Sequence, residues 1–116
     1  MLVADDEQYL LDIWVEVFKL LDVDVLTASS GLDAISVLKD NEVDLVITDV
    51  RMRGSDGFVL LEYIRNEGLE NLPTIVCSGF FNAKSDELAE LNVTRVIGKP
   101  FSVREELDYF RALLND

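Results

Sequence analysis

Four short stretches carry the side chains that could do chemistry together. "ADDE", Ala4 to Glu7, sets two acids side by side directly after Leu2-Val3. "DVRMRGSDG", Asp49 to Gly57, begins with an acid that closes the apolar, β-branched run Leu45-Val46-Ile47-Thr48. "VCSG" supplies the hydroxyl of Ser78 and "GKPFS" the ammonium of Lys99. If these segments converge, Asp5, Asp6 and Asp49 crowd one pocket. Two bare carboxylates ~4 Å apart repel by roughly 4 kcal/mol at an effective dielectric near 20. Several such pairs would threaten a domain whose whole stability is about 5–15 kcal/mol, so protons or a divalent cation must neutralise them. Oxygen donors without histidine or cysteine favour Mg²⁺, which keeps waters and recruits phosphate oxygens. Acids, a hard cation, a lysine and a hydroxyl together suit a transferring phosphoryl group. One carboxylate is then the nucleophile, as in other aspartyl phosphates. Asp49 fits that part, because it stands alone at the end of its run while Asp5 and Asp6 are consecutive. Neighbours in an extended segment point different ways, so one of the pair can touch the metal directly and the other through water.

Convergence needs a scaffold that gathers the ends of those segments. Short apolar runs alternate with segments of helical period, the pattern of βα units and a parallel sheet. The predicted strands are Leu2–Ala4, Val23–Leu26, Leu45–Thr48, Thr74–Cys77 and Val93–Ile97. Leu10, Ile13, Trp14, Val17 and Leu21 share one face of a predicted first helix. Leu32–Leu38, Phe58–Ile64 and Leu88–Leu91 repeat that pattern more weakly. A fifth helix lines up Val103, Leu107, Phe110 and Leu114 and begins with a capping box, Ser102 with Glu105. The expected fold class is α/β: a (βα)5, doubly wound, flavodoxin-like five-stranded parallel sheet with helices on both faces. Such sheets bind ligands beyond the carboxyl ends of their strands, where strand order reverses. The first strand delivers Asp5 and Asp6 there, the third Asp49, the fourth Ser78, and the fifth Lys99-Pro100. Ala28-Ser29-Ser30, at the end of the second, reads as structural.

Length and charge narrow the function classes. A chain of 116 residues fits one domain. Its 23 acids against 10 bases give a net charge of -13, a surface that repels nucleic acid and anionic lipid. The absence of histidine removes His-based acid/base catalysis, His metal ligation and a phosphohistidine carrier. No apolar run approaches the ~20 residues of a membrane span, and no signal peptide is recognisable. With Cys77 as its single cysteine, the chain reads as cytoplasmic.

Taken together, these residues are similar to a known family. Over essentially its full length the chain resembles the receiver domain of two-component response regulators. "ADDE", "DVRMRGSDG", "VCSG" and "GKPFS" fall in that family's order and spacing; none is specific alone, but the set on a (βα)5 layout is. The resemblance implies that Asp49 accepts a phosphoryl group from a sensor histidine kinase or a histidine phosphotransfer protein. It implies Mg²⁺ held by Asp49, by Asp6 directly, by Asp5 mainly through water, and by the backbone carbonyl of Arg51. Ser78 stands where the family's switch hydroxyl binds the phosphoryl group, and Lys99 where its phosphate-pairing lysine sits. Met52 and Gly57 fit the loop as packing and turn residues. The implied output is contact with a downstream protein, or a dimer, through the face of the fourth helix, fifth strand and fifth helix. The chain is then no enzyme beyond its own phosphorylation and dephosphorylation. It reads as a single domain over residues 1–116 without an output domain, either stand-alone or one part of a longer protein.

Several positions depart from the family pattern. Val96 replaces the aromatic often found three residues before the lysine, so output must pass through backbone shifts rather than a rotating ring. Arg53 replaces a proline without removing a ligand. Arg51 and Phe80 flank the acceptor and are bulky enough to hinder a hydrolytic water, which implies a long-lived phosphoryl form. The first strand is also shorter at its start than is usual in the family.

Plainer readings exist for each residue. Asp5 and Asp6 could be an exposed N-cap of the first helix, and Asp49 an ordinary turn acid. Asp56 reads only as a turn or cap residue. Ser78 could be a strand-end hydroxyl and Lys99 a surface loop residue. Phe80-Phe81 fits loop packing as well as a docking patch, Trp14 the core, and Cys77 a small buried strand residue. Among rival functions, a flavodoxin-like cofactor binder needs a hydroxyl-rich phosphate cradle where this chain has acids. A GxxxxGK[ST] loop is absent, as is the Asp-x-Asp motif of aspartyl-phosphate hydrolases. The serious alternative is a degenerate receiver, an interaction module that signals without phosphorylation.

Overall fold

Leu2-Val3-Ala4 and Val46-Ile47-Thr48 are apolar or uncharged at every position, which a strand tolerates when both faces of its sheet are covered. The structure, a computed structural model, describes residues 1–50, 52, 57–69, 71–78, 93–98 and 103–114. Its elements run β1 (Leu2–Ala4), α1 (Gln8–Lys19), β2 (Leu26–Ala28), α2 (Gly31–Asp40), β3 (Val46–Asp49), α3 (Gly57–Asn66), β4 (Thr74–Ser78), β5 (Arg95–Gly98) and a C-terminal helix, Val103–Leu114. The strands form one parallel sheet in the order β2-β1-β3-β4-β5. Strand order reverses between β1 and β3, the point at which such sheets bind ligands.

Strand alternation sorts the core into two faces. Val3, Ile47, Ile75, Cys77 and Ile97 meet α1 and the C-terminal helix through Leu11, Trp14, Phe18 and Phe110. Trp14 stacks on Phe18 at 5.7 Å and meets Phe110 edge-on at 5.5 Å. Such ring pairs contribute about 0.5–1.5 kcal/mol beyond their burial. Leu2, Ala4 and Val46 face the other way, onto Ala28, Ala34, Leu60 and Ile64. Trp14 and Cys77 are buried core residues as expected.

Three expectations need correction. The buried stripe of α1 is Leu11, Trp14 and Phe18, not Leu10, Ile13, Trp14, Val17 and Leu21. Ile13 is 37% exposed. Apolar residues nearly encircle this helix, so packing against Phe110, not periodicity, decides which stripe is buried. The second strand is Leu26–Ala28 rather than Val23–Leu26. Here α1 ends in a left-handed turn at Asp22 (φ 59), with Val23 N–H on the Phe18 carbonyl at 3.0 Å and Asp22 N–H on that of Lys19 at 3.1 Å. That turn uses up the first apolar residues before pairing begins. The fifth strand starts at Arg95, not Val93; ahead of it, Thr94 N–H reaches the Thr74 carbonyl at 2.8 Å, and the Thr94 hydroxyl accepts Thr74 N–H at 3.0 Å. The Ser30 side chain caps α2 by accepting Asp33 N–H at 3.1 Å, the structural part expected of that segment. In the C-terminal helix Phe110 is buried and Leu107 half-buried. The predicted helix around Leu88–Leu91 and the capping residue Ser102 lie outside the described residues.

Candidate functional site

β1 and β3 are adjacent and in register, Ala4 opposite Thr48. One residue further along each strand come Asp5 and Asp49. The pairing thus sets two acids side by side on the central strands at their carboxyl ends. Asp49 is the last residue of β3 itself rather than the residue after it, and its register partner in β4 is Cys77. Both acids are buried, at 4% and 8% exposure. Beyond Ala4 the chain leaves the strand and bends at Asp6, so strict alternation stops and the half-buried Asp6 joins the same group. A carboxylate oxygen from each of Asp5, Asp6 and Asp49 lies within 4.8 Å of the others.

Local backbone orients these acids. Asp5 Oδ1 accepts Glu7 N–H at 2.9 Å, and Asp49 Oδ1 accepts Val50 N–H at 2.7 Å. The Thr48 hydroxyl donates to the Asp49 carbonyl at 2.9 Å. The N-cap reading of Asp5 and Asp6 does not hold: Glu7 is the N-cap of α1 and makes no side-chain capping bond. Gly57 closes the loop with its N–H on the Val50 carbonyl at 2.7 Å. A Cβ at Gly57 would stand 2.1 Å from the Asp49 carbonyl oxygen, so only glycine allows this approach. Met52 packs half-buried against the face of α2 and α3. Both loop residues thus do what their types suggested, but the contact of Gly57 with Asp49 is not legible from sequence.

The donor set fits a hard divalent cation: three carboxylates, all oxygen, no imidazole or thiolate. Without one, charges at such separations repel by roughly 3–4 kcal/mol per pair at an effective dielectric near 20. Of the remaining expected site residues, Ser78 ends β4 immediately after the partner of Asp49. Arg51 and Lys99 lie outside the described residues, as do Arg53, Asp56, Phe80 and Phe81. Val96 is 39% exposed on β5, paired with Val76. Among the described residues, no helix is long and apolar enough to cross a membrane.

Comparison with known proteins agrees with this fold. The family model described as "Response regulator receiver domain" matches residues 1–110. The heme response regulator HssR of Staphylococcus haemolyticus is 31% identical over 114 residues, covering 97% of this chain and 50% of that protein. HssR of Staphylococcus aureus (strain Newman) is 30% identical with the same coverage. The chain therefore spans about half the length of these relatives. Among solved structures, the non-phosphorylated HemR receiver domain from Leptospira biflexa superposes with a TM-score of 0.87 at 25% identity, covering 99% of this chain and 93% of that one. The Francisella response regulator 1452 receiver domain gives 0.86 at 27% identity, covering 98% and 94%.

Proposed function

We propose that this chain, which belongs to the response regulator receiver family of two-component systems, takes a phosphoryl group onto Asp49. The supporting observation is the cluster of buried Asp5 and Asp49 with half-buried Asp6 at the carboxyl ends of adjacent strands. Receiver domains generally bind Mg²⁺ at such an acidic pocket, and the family works with histidine kinases and downstream targets. The donor is a phosphohistidine of a sensor kinase or of a histidine phosphotransfer protein. An Asp49 oxygen bonds to phosphorus, the phosphorus–nitrogen bond breaks, and the electron pair leaves with the imidazole. Asp49, Asp6, Asp5 and the Arg51 carbonyl would hold Mg²⁺, which would neutralise charge on the phosphoryl oxygens.

The chain's own residues carry the remaining work. Val50 N–H donates to Asp49 Oδ1 at 2.7 Å, which helps to orient the nucleophile. Ser78 donates its hydroxyl to the transferred group, and Lys99 pairs with it. Arg51 and Phe80 slow the hydrolytic water, so the phosphoryl form persists. The signal leaves by protein–protein contact through β5 and its neighbouring helices, in the cytoplasm and without nucleic-acid contact by this acidic domain. The test is intact mass after incubation with acetyl phosphate and Mg²⁺. One phosphoryl adduct should form, need Mg²⁺, outlast the assay, and vanish in Asp49→Asn. No adduct from a folded, Mg²⁺-binding protein, even with a partner kinase, would leave the phosphorylation-independent interaction module instead.

A further inference from the structure

Beside the apolar packing of Ile97, strand β5 reaches the C-terminal helix with the polar side chain of Arg95. Arg95, on the same side of β5 as the buried Ile97, sends its Nη1 to Glu106 Oε2 at 2.8 Å. Its guanidinium also lies over the Tyr109 ring, 4.2 Å from the centroid. Glu106 and Tyr109 sit three residues apart on the C-terminal helix, so one planar cation grips one helical face at two points. The Arg95 side chain is 35% exposed and that of Glu106 16%. The pair is therefore shielded more than a surface bridge and has geometry that a lysine could not reproduce. Tyr109 in turn meets Phe110 edge-on at 5.5 Å, and Phe110 is fully buried against Trp14 and Phe18. A continuous line of contacts thus runs from β5 through Arg95 and Tyr109 to the aromatic core.

We propose that Arg95 is the positioning residue that carries movement of β5 to the C-terminal helix, with Tyr109 as the ring that responds. The inference rests on the receiver reading. β5 leads directly into Lys99, and it bears Val96, a side chain without a ring to rotate. A shift of the strand's end therefore has no aromatic on β5 to work through. It does have a guanidinium already clamped to the next helix. A guanidinium held by both a carboxylate and a ring transmits displacement in two directions, which a single ion pair does not. The aromatic element of the switch accordingly stands on the helix and not on the strand.

The experiment compares the wild-type chain with Arg95→Met, which keeps an aliphatic stem, and with Glu106→Gln. Each is labelled with 3-fluorotyrosine and treated with beryllofluoride and Mg²⁺ as the phosphoryl mimic. The Tyr109 fluorine resonance is expected to shift in the wild type, to shift less in Glu106→Gln and to stay put in Arg95→Met, while acetyl phosphate still gives the Asp49 adduct in all three. A Tyr109 shift undiminished in Arg95→Met overturns the proposal. Amide exchange read without any phosphoryl mimic separates the two ideas. Loss of the clamp should raise exchange in the C-terminal helix roughly five-fold, since a small change in free energy already gives such a factor. Unchanged exchange in Arg95→Met sinks the clamp even where the wild type takes up phosphoryl. Failure of wild-type phosphorylation sinks the functional reading, and the proposed relay with it, even where exchange rises.

Discussion

Acids gather at both ends of this sheet, and among the described residues the two gatherings differ in burial. At the carboxyl end, Asp5 and Asp49 are buried, Asp6 is half-buried, and their oxygens lie within 4.8 Å of one another. At the amino end, Asp22, Asp24, Glu42 and Asp44 line a cavity of about 780 Å³ together with Val23, Leu38, Val43, Leu69 and Leu72. All four of those acids are exposed, and Asp44 is 79% so even beside the terminal ammonium, 3.7 Å away. The difference is one of dielectric and distance. Exposed carboxylates are screened by water and salt and need no partner. Buried ones at short range must be neutralised, and that requirement is what a divalent cation can meet. The chemistry proposed above draws on the end where the charges are desolvated, not on the open cavity.

The largest effect expected at the carboxyl end comes from a residue without charge. Gly57→Ala drives a Cβ into the Asp49 carbonyl oxygen, backbone against backbone, with 2.1 Å where contact needs far more. Overpacking of this kind costs about 3 kcal/mol, and a urea titration should show the midpoint fall accordingly. Wild-type stability in that variant would break the comparison, because the site would then owe nothing to the close approach of Gly57 to Asp49. Next in size is Asp6→Asn. Removing one of three mutually repelling charges should stabilise the Mg²⁺-free protein by about 1 kcal/mol, well under the full Coulomb figure because Asp6 is half-buried. The same change should remove most of the stabilisation that Mg²⁺ gives, which for an intact site is about 2.7 kcal/mol at a hundredfold excess over Kd. Thermal unfolding with and without Mg²⁺ reads both signs in one series. A destabilised apo Asp6→Asn would mean that the cluster is not under electrostatic stress.

How much of this was legible from sequence depends on which physical effect decided each element. β1 and β3 were readable because strands covered on both faces cannot hide their composition. β2 was misplaced because it is an edge strand with Leu26 and Thr27 exposed, so its pattern is weak, while the more apolar Val23 and Val25 pack beside the strand instead of in it. The face of α1 was turned because Leu10, Leu11, Ile13, Trp14, Val17 and Phe18 surround the helix; only the position of Phe110 selects among them. The acids of the site were readable from the rule that parallel sheets work at their carboxyl ends. Their side-by-side placement rests on register, Ala4 opposite Thr48, and that is a tertiary fact. The approach of Gly57 and the grip of Arg95 on Tyr109 also belong to tertiary structure, since neither has a local signature.

The smallest expected effect tests the comparison from its other end. Glu42→Gln removes an acid from the rim of the amino-end cavity, where the side chain is exposed. A surface substitution of this kind should change stability by less than about 0.5 kcal/mol, and added salt should erase even that. The Mg²⁺ dependence of unfolding should match the wild type. This near-null is informative because both variants remove one negative charge from the net charge of -13. If Asp6→Asn acted only through overall self-repulsion, Glu42→Gln would reproduce its stabilisation and any loss of Mg²⁺ response. Equal behaviour of the two would therefore show a bulk charge effect and no localised site. A gain in apo stability and a loss of Mg²⁺ response confined to Asp6→Asn would assign both to the few ångströms around Asp49.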